Sequence, residues 1–448
     1  MTISSFEENF LRKRIHPLNF LVWGLFLTMV IGSFFLWLPF THKAGVEVSA
    51  VNALFTATSA STVTGLVVMD TFESYNFWGQ LVILILINLG GLGYMTIITF
   101  SFLNSRIGLK YAVYMKESLN LPSIGDIFQL AKKVFLTIIL FEFVGILMLM
   151  WVFRDQSFLT ALWNGIFHAM SAFNNAGFDL MGGFRSFMDY STNIILNLAI
   201  MMLIFCGGIG FIVISDVWGV VTRLKKRFSL HTKIVLTTSL FLIVFGALGF
   251  YYLESYGVLG GYHSTFEKGV VSTFQSVTSR TAGFATIDFG QASIATILLI
   301  CLLMFIGASP GSTGAGIKTT TFAVIILFIF ASLKNKDLPE AFGRKIARES
   351  VEKALLLFIL SLVVVFLIIV FISIIEPFSL SQIVFEAFSA FGTVGLSTGI
   401  TPHLTSASKL ALVLLMFIGR LTPLTLVVWI SRNKKANVEL LEEYVSIG

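Results

Sequence analysis

Four short stretches of the chain end in a glycine that follows small, amide or hydroxyl-bearing residues. A desolvated monovalent cation needs several weak oxygen ligands, and rings of backbone carbonyls supply them. Glycine lets the backbone turn its carbonyls inward at dihedral angles that other residues resist. None of the four stretches contains a carboxylate, which argues against a divalent cation. The predicted lining of a cation filter is Thr62, Val63, Thr64 and Gly65; Asn174, Asn175, Ala176 and Gly177; Arg280, Thr281, Ala282 and Gly283; and Gly392, Thr393, Val394 and Gly395.

A fifth stretch, GASPGSTGAGIKT from Gly307 to Thr319, interrupts a long apolar run. A nucleotide-binding P-loop would need G-x-x-x-x-G-K-[ST], but Ile317 follows the second glycine and Lys318 comes one place late. The run from 292 to 331 is also much longer than its siblings, so a helix broken at 307–318 fits the length. A kinked helix without a gating role is the alternative. The predicted gate residues are Gly307, Ala308, Ser309, Pro310, Gly311, Ser312, Thr313, Gly314, Ala315, Gly316 and Arg420.

Four polar side chains, Arg280, Arg420, Lys318 and His168, need a separate interpretation because their surroundings in the sequence are apolar. An intramembrane arginine is costly and usually faces a cavity with a partner, so Arg420 is expected to present its charge to the emerging cation and to bond the carbonyls of the interruption. A structural role that holds helix ends together is the alternative for Arg420. Arg280 is interpreted as a tether for the pore-helix or filter backbone, and Lys318 as a side chain that snorkels or pairs with a lipid phosphate. His168 is interpreted as a hydrogen-bonded structural residue.

The composition indicates which elements must position these residues. Of 448 residues, 56% are hydrophobic and 12% are charged, and the mean hydropathy is +0.89, which is typical of a polytopic membrane protein. The start of the chain does not resemble a removable signal peptide. Cys206 and Cys301 lie far apart in apolar runs and are expected to be free thiols. An intramembrane enzyme would need a nucleophile with a base, paired carboxylates or a metal cluster in the spans, and none is recognisable.

The basic residues predict the orientation. Apolar runs long enough to span occur near 18–40, 79–103, 133–153, 192–217, 234–253, 292–331, 354–375 and 407–430. Segments on one side of these spans carry 22 basic residues, whereas the opposite loops carry five. The positive-inside rule therefore places both termini and the three basic connectors in the cytoplasm.

The four glycine stretches keep step with a second glycine marker. Gly65, Gly177, Gly283 and Gly395 are each followed 24 to 30 residues later by Gly90, Gly207, Gly307 and Gly419. A repeat near 110 residues predicts four copies of one unit. The predicted fold is an all-α polytopic membrane protein with four covalently linked helix–pore-loop–helix repeats around a pseudo-fourfold pore. The predicted boundaries are a cytoplasmic N-terminus 1–15, repeats at 16–104, 105–222, 223–335 and 336–431, and a cytoplasmic tail 432–448.

The motifs STVTGL, AFNNAGF, SRTAGF and AFGTVGL resemble the filter turns of the Trk/Ktr/HKT superfamily of potassium transporters. GGLGYMT, GGIGF and MFIGRLTPLT point more closely to the bacterial Ktr membrane subunit. The resemblance implies one filter glycine per repeat, selectivity for potassium because the first is not serine, a loop that must move, and an arginine below the pore at Arg420. Potassium would then bind the carbonyls of Thr62, Val63, Asn174, Asn175, Arg280, Thr281, Gly392 and Thr393.

The resemblance also implies what surrounds the pore. Potassium is the expected substrate and sodium a possible activator, with no covalent cofactor and no nucleic-acid partner. The chain is expected to form a homodimer in the lipid bilayer of a bacterial cell membrane, on a cytoplasmic ring of nucleotide-binding regulatory subunits. Sodium or ammonium conduction on the same scaffold is the alternative function.

Overall fold

The computed structural model describes residues 17–103 and 124–421. The predicted N-terminus 1–15, part of the first connector and the tail 432–448 lie outside these residues. The helices are α1 Pro17–Trp37, α2 Ala50–Ser61, α3 Thr71–Ser74, α4 Phe77–Leu103, α5 Ile124–Val152, α6 Phe158–Phe173, α7 Ile194–Gly208, α8 Phe211–Val221, α9 Leu230–Glu254, α10 Thr265–Thr278, α11 Ile294–Phe305, α12 Thr319–Leu333, α13 Arg348–Ile375, α14 Leu380–Gly392 and α15 Ser406–Leu421. Turns of 3-10 helix occupy Pro39–Thr41, Met188–Tyr190, Val258–Gly261, Phe289–Gln291 and Thr401–His403.

The long helices have the length and apolar surface that a bilayer requires. Val134–Val152, Leu230–Glu254 and Arg348–Ile375 could each cross a membrane alone. At most one-third of the apolar stretch of each helix is buried inside the protein. Large apolar side chains such as Phe143, Phe241 and Phe366 are more than half exposed. Such a surface would aggregate in water, whereas lipid chains cover it. The described helices therefore form a multi-pass membrane protein.

Four short helices, α2, α6, α10 and α14, begin in the same way. Each has a serine at its N-cap, Ser49, Ser157, Ser264 or Ser379, whose side chain accepts a hydrogen bond from a backbone N–H of the first turn. Each short helix packs against the long helix before it; α2, α6 and α14 also pack against α4, α7 and α15, respectively, whereas α10 packs against α7. Each short helix ends a few residues before one of the four predicted filter glycines.

The span predicted over 192–217 is not continuous. It consists of α7 and α8, which meet at an angle of 99°. The cause is Gly210, whose φ of +97° breaks the helical path and is open to glycine at little cost. A Cβ at Gly210 would lie 2.6 Å from the carbonyl oxygen of Pro310. The chain therefore turns sideways where it meets the segment between α11 and α12.

Two strands, β1 Glu340–Ala341 and β2 Arg344–Lys345, form an antiparallel hairpin in the third connector. The all-α prediction did not include it. Phe342 and Gly343 form its turn, both with positive φ. The hairpin is short and lies outside the spans, so the architecture remains essentially helical.

Candidate functional site

The four glycines predicted for a filter lie in one ring. For each of them, a Cβ atom would collide with the backbone of the next turn, and the fourth turn returns to the first. We call Gly65, Gly177, Gly283 and Gly395 the glycine ring. Their Cβ positions would lie 2.4 Å from Ala176 O, 2.5 Å from Ala282 O, 2.1 Å from Val394 O and 2.3 Å from Thr64 O, respectively.

The backbone of the four turns is held in an unusual conformation. All four ring glycines have positive φ, between +70° and +96°. The residue two places earlier is also left-handed in every turn, with Val63 at +60°, Asn175 at +60°, Thr281 at +80° and Thr393 at +48°. Three of these are β-branched, for which a positive φ costs on the order of 1–3 kcal/mol. Such strain persists only where the surroundings impose it, which singles out these turns as a functional candidate.

The side chains of the turns point into the surrounding protein. The Thr62 Oγ1 donates to Thr58 O at 2.7 Å and lies 2.7 Å from Thr64 Oγ1. The amide nitrogen of Asn174 donates to Asn88 Oδ1 at 3.2 Å and Met170 O at 2.9 Å. The side-chain amide of Asn175 lies 3.0 Å from Thr281 Oγ1 of the next turn, and Thr393 Oγ1 is buried without a partner among the described residues. The backbone carbonyls are the other oxygen atoms that the four turns offer.

A cavity of about 260 Å³ lies directly over the glycine ring. Its wall includes all four ring glycines and the carboxylates of Asp70, Asp179 and Asp288. Asp70 and Asp288 each follow their ring glycine by five residues, a spacing that could have identified them from the sequence. The negative charge there would raise the local concentration of cations. The sequence predictions assign Asp70, Asp179 and Asp288 to no specific site.

The chain is interrupted between α11 and α12, where a break is predicted at 307–318. We call residues 306–318 the break loop. Its two ends meet at a parallel bridge between Ile306 and Ile317, and Ala308 N donates to Ala315 O at 3.3 Å. Most of the predicted gate residues are buried: Gly307, Ala308, Ser309, Ser312, Thr313, Gly314, Ala315 and Gly316.

The break loop lies against the underside of the four turns. The hydroxyl of Thr313 donates to Phe173 O, at the end of α6, at 3.2 Å. A Cβ at Gly314 would lie 2.2 Å from Thr281 Oγ1, and one at Gly316 would lie 3.4 Å from the Cα of Gly392. The loop also reaches α8, since Phe211 N donates to Gly311 O at 2.8 Å. It therefore contacts the second, third and fourth of the four turns.

Two cationic side chains hold the break loop from below. The guanidinium of Arg420 donates to Thr313 O and to Gly90 O, and at 3.3 Å to Gly91 O. The Lys318 ammonium donates to Gly314 O at 2.8 Å. The interpretation of Lys318 as a snorkelling residue is therefore wrong, because its own loop offers an unpaired carbonyl within reach. Arg420 lies where the sequence places it, next to the carbonyls of the interruption.

Comparison with known proteins identifies the family. Residues 26–439 match the family described as TrkH, cation transport protein. The chain belongs to the TrkH family. It is 43% identical to the Ktr system potassium uptake protein B of Bacillus subtilis over 97% of both chains. It is 38% identical to the potassium/sodium uptake protein NtpJ of Enterococcus hirae over 98% of both.

A solved structure supports the same fold. The potassium transporter TrkH of Vibrio parahaemolyticus superposes with a TM-score of 0.73 at 18% identity, covering 93% of this chain and 85% of that one. The predicted resemblance to the Trk and Ktr proteins is thus confirmed. TrkH-family proteins are ion transporters, which also confirms the prediction that this chain is not an enzyme.

Arg280 contacts the break loop of this TrkH-family chain. Its guanidinium lies 3.3 Å from Ser239 O, 3.4 Å from Ser239 Oγ and 3.5 Å from Gly307 O. The sequence predicted a tether for the backbone beside the filter, whereas these bonds reach α9 and the first residue of the predicted gate. Arg280 is 9% exposed, so its charge is directed away from the ring and into the wall.

His168 has partners on both ring nitrogens. Its Nδ1 lies 2.7 Å from Asn164 O, and Leu180 N donates to its Nε2 at 3.0 Å. Within the described residues, no group of three or more His, Cys, Asp or Glu side chains could hold a metal ion. His168 therefore acts as a structural residue between a short helix and the segment after the glycine ring.

Three of the four second-marker glycines allow the helix after a turn to pack closely against the end of the short helix before that turn. A Cβ at Gly90, Gly207 or Gly419 would lie 1.8–2.0 Å from the carbonyl oxygen of Ser61, Phe173 or Phe391, each four residues before a ring glycine. The helix that follows each turn thus packs with no spacing against the end of the short helix. Gly307 instead meets Ala315 O of its own loop at 2.0 Å.

Proposed function

We propose that this chain carries potassium ions inward across the membrane through the glycine ring. The observation that carries the proposal is the closed contact of the four turns, in which each ring glycine lies against the carbonyl of the next turn. A ring of backbone carbonyls around a narrow axis is the arrangement that replaces the hydration shell of a monovalent cation. The potassium uptake named in several relatives supports the choice of ion.

The proposed filter consists of the four predicted turns, arranged as four helix–pore-loop–helix repeats around a pseudo-fourfold axis. Potassium would bind the predicted carbonyls, since the side chains of Thr62 and Asn174 bond to the carbonyls of their own short helices and that of Asn175 bonds to Thr281. The carboxylates of Asp70, Asp179 and Asp288, in the wall of the cavity over the ring, would attract the ion before it loses water. A negative-inside potential would then favour inward movement by about 2.3 kcal/mol per charge per 100 mV.

The break loop is the proposed gate. It lies directly below the ring, and its glycine, alanine and serine residues have little bulk, so other backbone conformations lie close in energy. Arg420 and Lys318 hold it with charge-assisted hydrogen bonds. An ion leaving the ring would meet these two positive charges until the loop and its cations move aside.

Regulation is proposed to come from outside the chain. We expect a homodimer with both termini in the cytoplasm of a bacterial cell, on a ring of nucleotide-binding regulatory subunits. The basic connectors support this assignment, since Arg223, Lys225, Lys226 and Arg227 form one cluster between α8 and α9. Sodium as an activating ion rests on the family resemblance alone.

The test is uptake of potassium or rubidium in cells that lack their own uptake systems, with the parent chain and the variant Gly65→Ser. Potassium uptake by the parent chain that falls steeply in the variant, with the remaining uptake shifted toward sodium, supports the proposal. The control is Gly45→Ser, because Gly45 has a similar φ of +83° with open space around it. A folded parent chain that moves neither ion with a regulatory partner present contradicts it.

Sodium or ammonium transport is the second candidate. The name of the Enterococcus hirae relative, a potassium/sodium uptake protein, favours sodium over ammonium as the competing ion. Competition of each cation against rubidium uptake by the parent chain separates the three. Inhibition by potassium at lower concentration than by sodium or ammonium is the expected result.

A further inference from the structure

A buried polar residue occupies the same place in each of the four short helices. Phe55, Phe167, Phe274 and Phe385 are followed by Thr56, His168, Gln275 and Glu386. All four polar side chains are at most 1% exposed. Burial of a polar group is costly unless it is hydrogen-bonded, so the partners of these residues indicate their role.

Three of the four reach the same position beyond the glycine ring, the third residue after the ring glycine. Leu180 N donates to His168 Nε2 at 3.0 Å. Gln275 Nε2 donates to Thr286 Oγ1 at 2.7 Å. Glu386 Oε1 accepts from Thr398 N at 3.0 Å. We call His168, Gln275 and Glu386 the braces, since each holds the segment that leaves the ring against its own short helix.

The braces differ in charge. Because Nδ1 of His168 faces the carbonyl of Asn164 and Nε2 accepts a hydrogen bond, this imidazole is neutral. The amide of Gln275 is neutral by nature. Glu386 is the one brace that can carry a full charge.

The partners of Glu386 are those of an ionised carboxylate. Four donors point at its two oxygens: Ser397 Oγ at 2.6 Å, Thr398 N at 3.0 Å, Thr398 Oγ1 at 3.3 Å and Thr401 Oγ1 at 2.7 Å. Three of these donors lie on Oε1 and one on Oε2, which matches an ionised carboxylate because that group only accepts. In the ranges 17–103 and 124–421, no basic side chain forms an ion pair with it.

We propose that Glu386 is a positioning and specificity-determining residue of the pore. Its carboxylate fixes the segment after Gly395, and its unneutralised charge lowers the energy of a dehydrated cation in the glycine ring. A buried charge acts over longer distances than an exposed one, because salt and water screen it little. Ser397, which donates to Glu386, also lines the cavity over the ring. This inference rests on the proposed function.

The variant Glu386→Gln removes the charge and nearly preserves the shape. It places at this position the side chain that the third short helix already carries at Gln275. In rubidium uptake by cells with the regulatory partner present, we expect KM to rise roughly tenfold with Vmax within about twofold. A brace that acts only by shape would lower Vmax or protein abundance and leave KM unchanged, and that result would overturn the proposal.

Moving the charge separates electrostatics from local structure. The double variant Gln275→Glu with Glu386→Gln carries one buried carboxylate at the equivalent place in the third short helix. We expect it to recover KM to within about threefold of the parent chain. If KM of the double variant stays as high as that of Glu386→Gln, the charge is not what binds the ion and the proposal fails.

A third variant guards against loss of folding. If Glu386→Gln does not accumulate in the membrane, Gln275→Glu in the otherwise unchanged chain carries the test, with KM expected to fall severalfold; an unchanged KM contradicts the proposal. The proposed function fails if the parent chain transports no potassium. The present inference fails if the parent transports potassium and the variants match its KM.

Discussion

The glycine ring and the break loop lie one above the other but are held by different means. In the ring, each turn is bonded to its own short helix, with Thr64 N, Ala176 N and Val394 N donating over 2.7–2.8 Å to Ser59 O, Ser171 O and Ser389 O. Its turns also pack backbone against backbone. In the break loop, Ser309 N and Thr313 N bond at 3.0 and 3.2 Å to the end of α7.

This difference matches the two tasks that we propose for the glycine ring and the break loop, which are ion selection and gating. The ring has no room for an added methyl group and keeps β-branched residues in the left-handed region, so its geometry is fixed. The break loop also has no room for a Cβ at Gly307 or Gly314. Its polar contacts to its surroundings, however, are single hydrogen bonds to α7, Phe173 and Arg420. Selectivity requires the first arrangement and opening requires the second.

The strongest test of the fixed region is Gly65→Ala. The added Cβ would lie 2.4 Å from Ala176 O, and alanine is strained at a φ of +87°. We expect potassium uptake to fall at least roughly a hundredfold, or the protein to be lost, because both ring geometry and strain are affected. Gly45→Ala, at a φ of +83° with no atom within 4 Å, measures the strain alone. Equal losses in both variants would mean that ring contact does not matter.

Among substitutions that affect the break loop, Arg420→Gln is expected to change the rate of uptake most. Removal of this charge frees Thr313 O and Gly90 O and lowers the barrier below the ring. We expect Vmax for rubidium uptake to rise roughly threefold to tenfold, with KM little changed, because the ring is untouched. Arg420→Lys, which keeps the charge, is the control. Loss of the folded protein in both variants would favour the structural alternative.

A smaller effect is expected from Thr313→Val. It deletes the one side-chain bond from the break loop to Phe173 O, which measures 3.2 Å, and keeps the volume of the side chain. We expect Vmax to rise about twofold, since a neutral hydrogen bond contributes about 1 kcal/mol or less. Thr237→Val is matched to it, because that hydroxyl bonds only to carbonyls of its own helix. A fall in uptake specific to Thr313→Val would count against a closed gate.

The smallest effect concerns external pH. Burial and the neighbouring charge of Asp70 raise the pKa of Asp179 to about 6, against the hydrogen bond from Met181 N. The carboxylate is thus ionised at pH 7.5 and mostly protonated at pH 5, where the cavity over the ring loses one negative charge. We expect KM for rubidium to rise about twofold on this acidification. The variant Asp179→Asn should abolish this pH-dependent rise, and an unaltered profile in the variant would contradict the assignment.

The sequence predicted the helices better than the bends. Apolar runs and serine N-caps are local signals, and the break near residue 307 follows from an overlong run with several glycines. The 99° bend between α7 and α8 was missed because only one residue, Gly210, produces it. A residue larger than glycine would collide there with the carbonyl of Pro310, and this long-range contact leaves no local pattern in the sequence.

The candidate site was predictable in the identity of its residues and less so in its contacts. The fourfold spacing of the ring glycines indicates that the turns share a role, but not that each glycine meets the carbonyl of the next turn. Lys318 was misinterpreted because its partner, Gly314 O, becomes available only when the loop folds back. Arg280 was assigned to the wrong neighbour, since its bonds to Ser239 and Gly307 span 41 and 27 residues.

Because of the bend at Gly210, α8 runs from the break loop toward the basic connector between α8 and α9. The helix has 11 residues and is about 16 Å long. One end bears on the break loop through Phe211 N and Gly311 O. At its middle, Asp216 accepts hydrogen bonds from Lys225 Nζ at 2.7 Å and Ser229 N at 2.8 Å, and nearer its far end Gly219 O accepts one from Lys225 N at 2.9 Å, all from the basic connector. Helix α8 is therefore a short rigid link, hydrogen-bonded to the break loop at its first residue and to the basic connector from its middle onward.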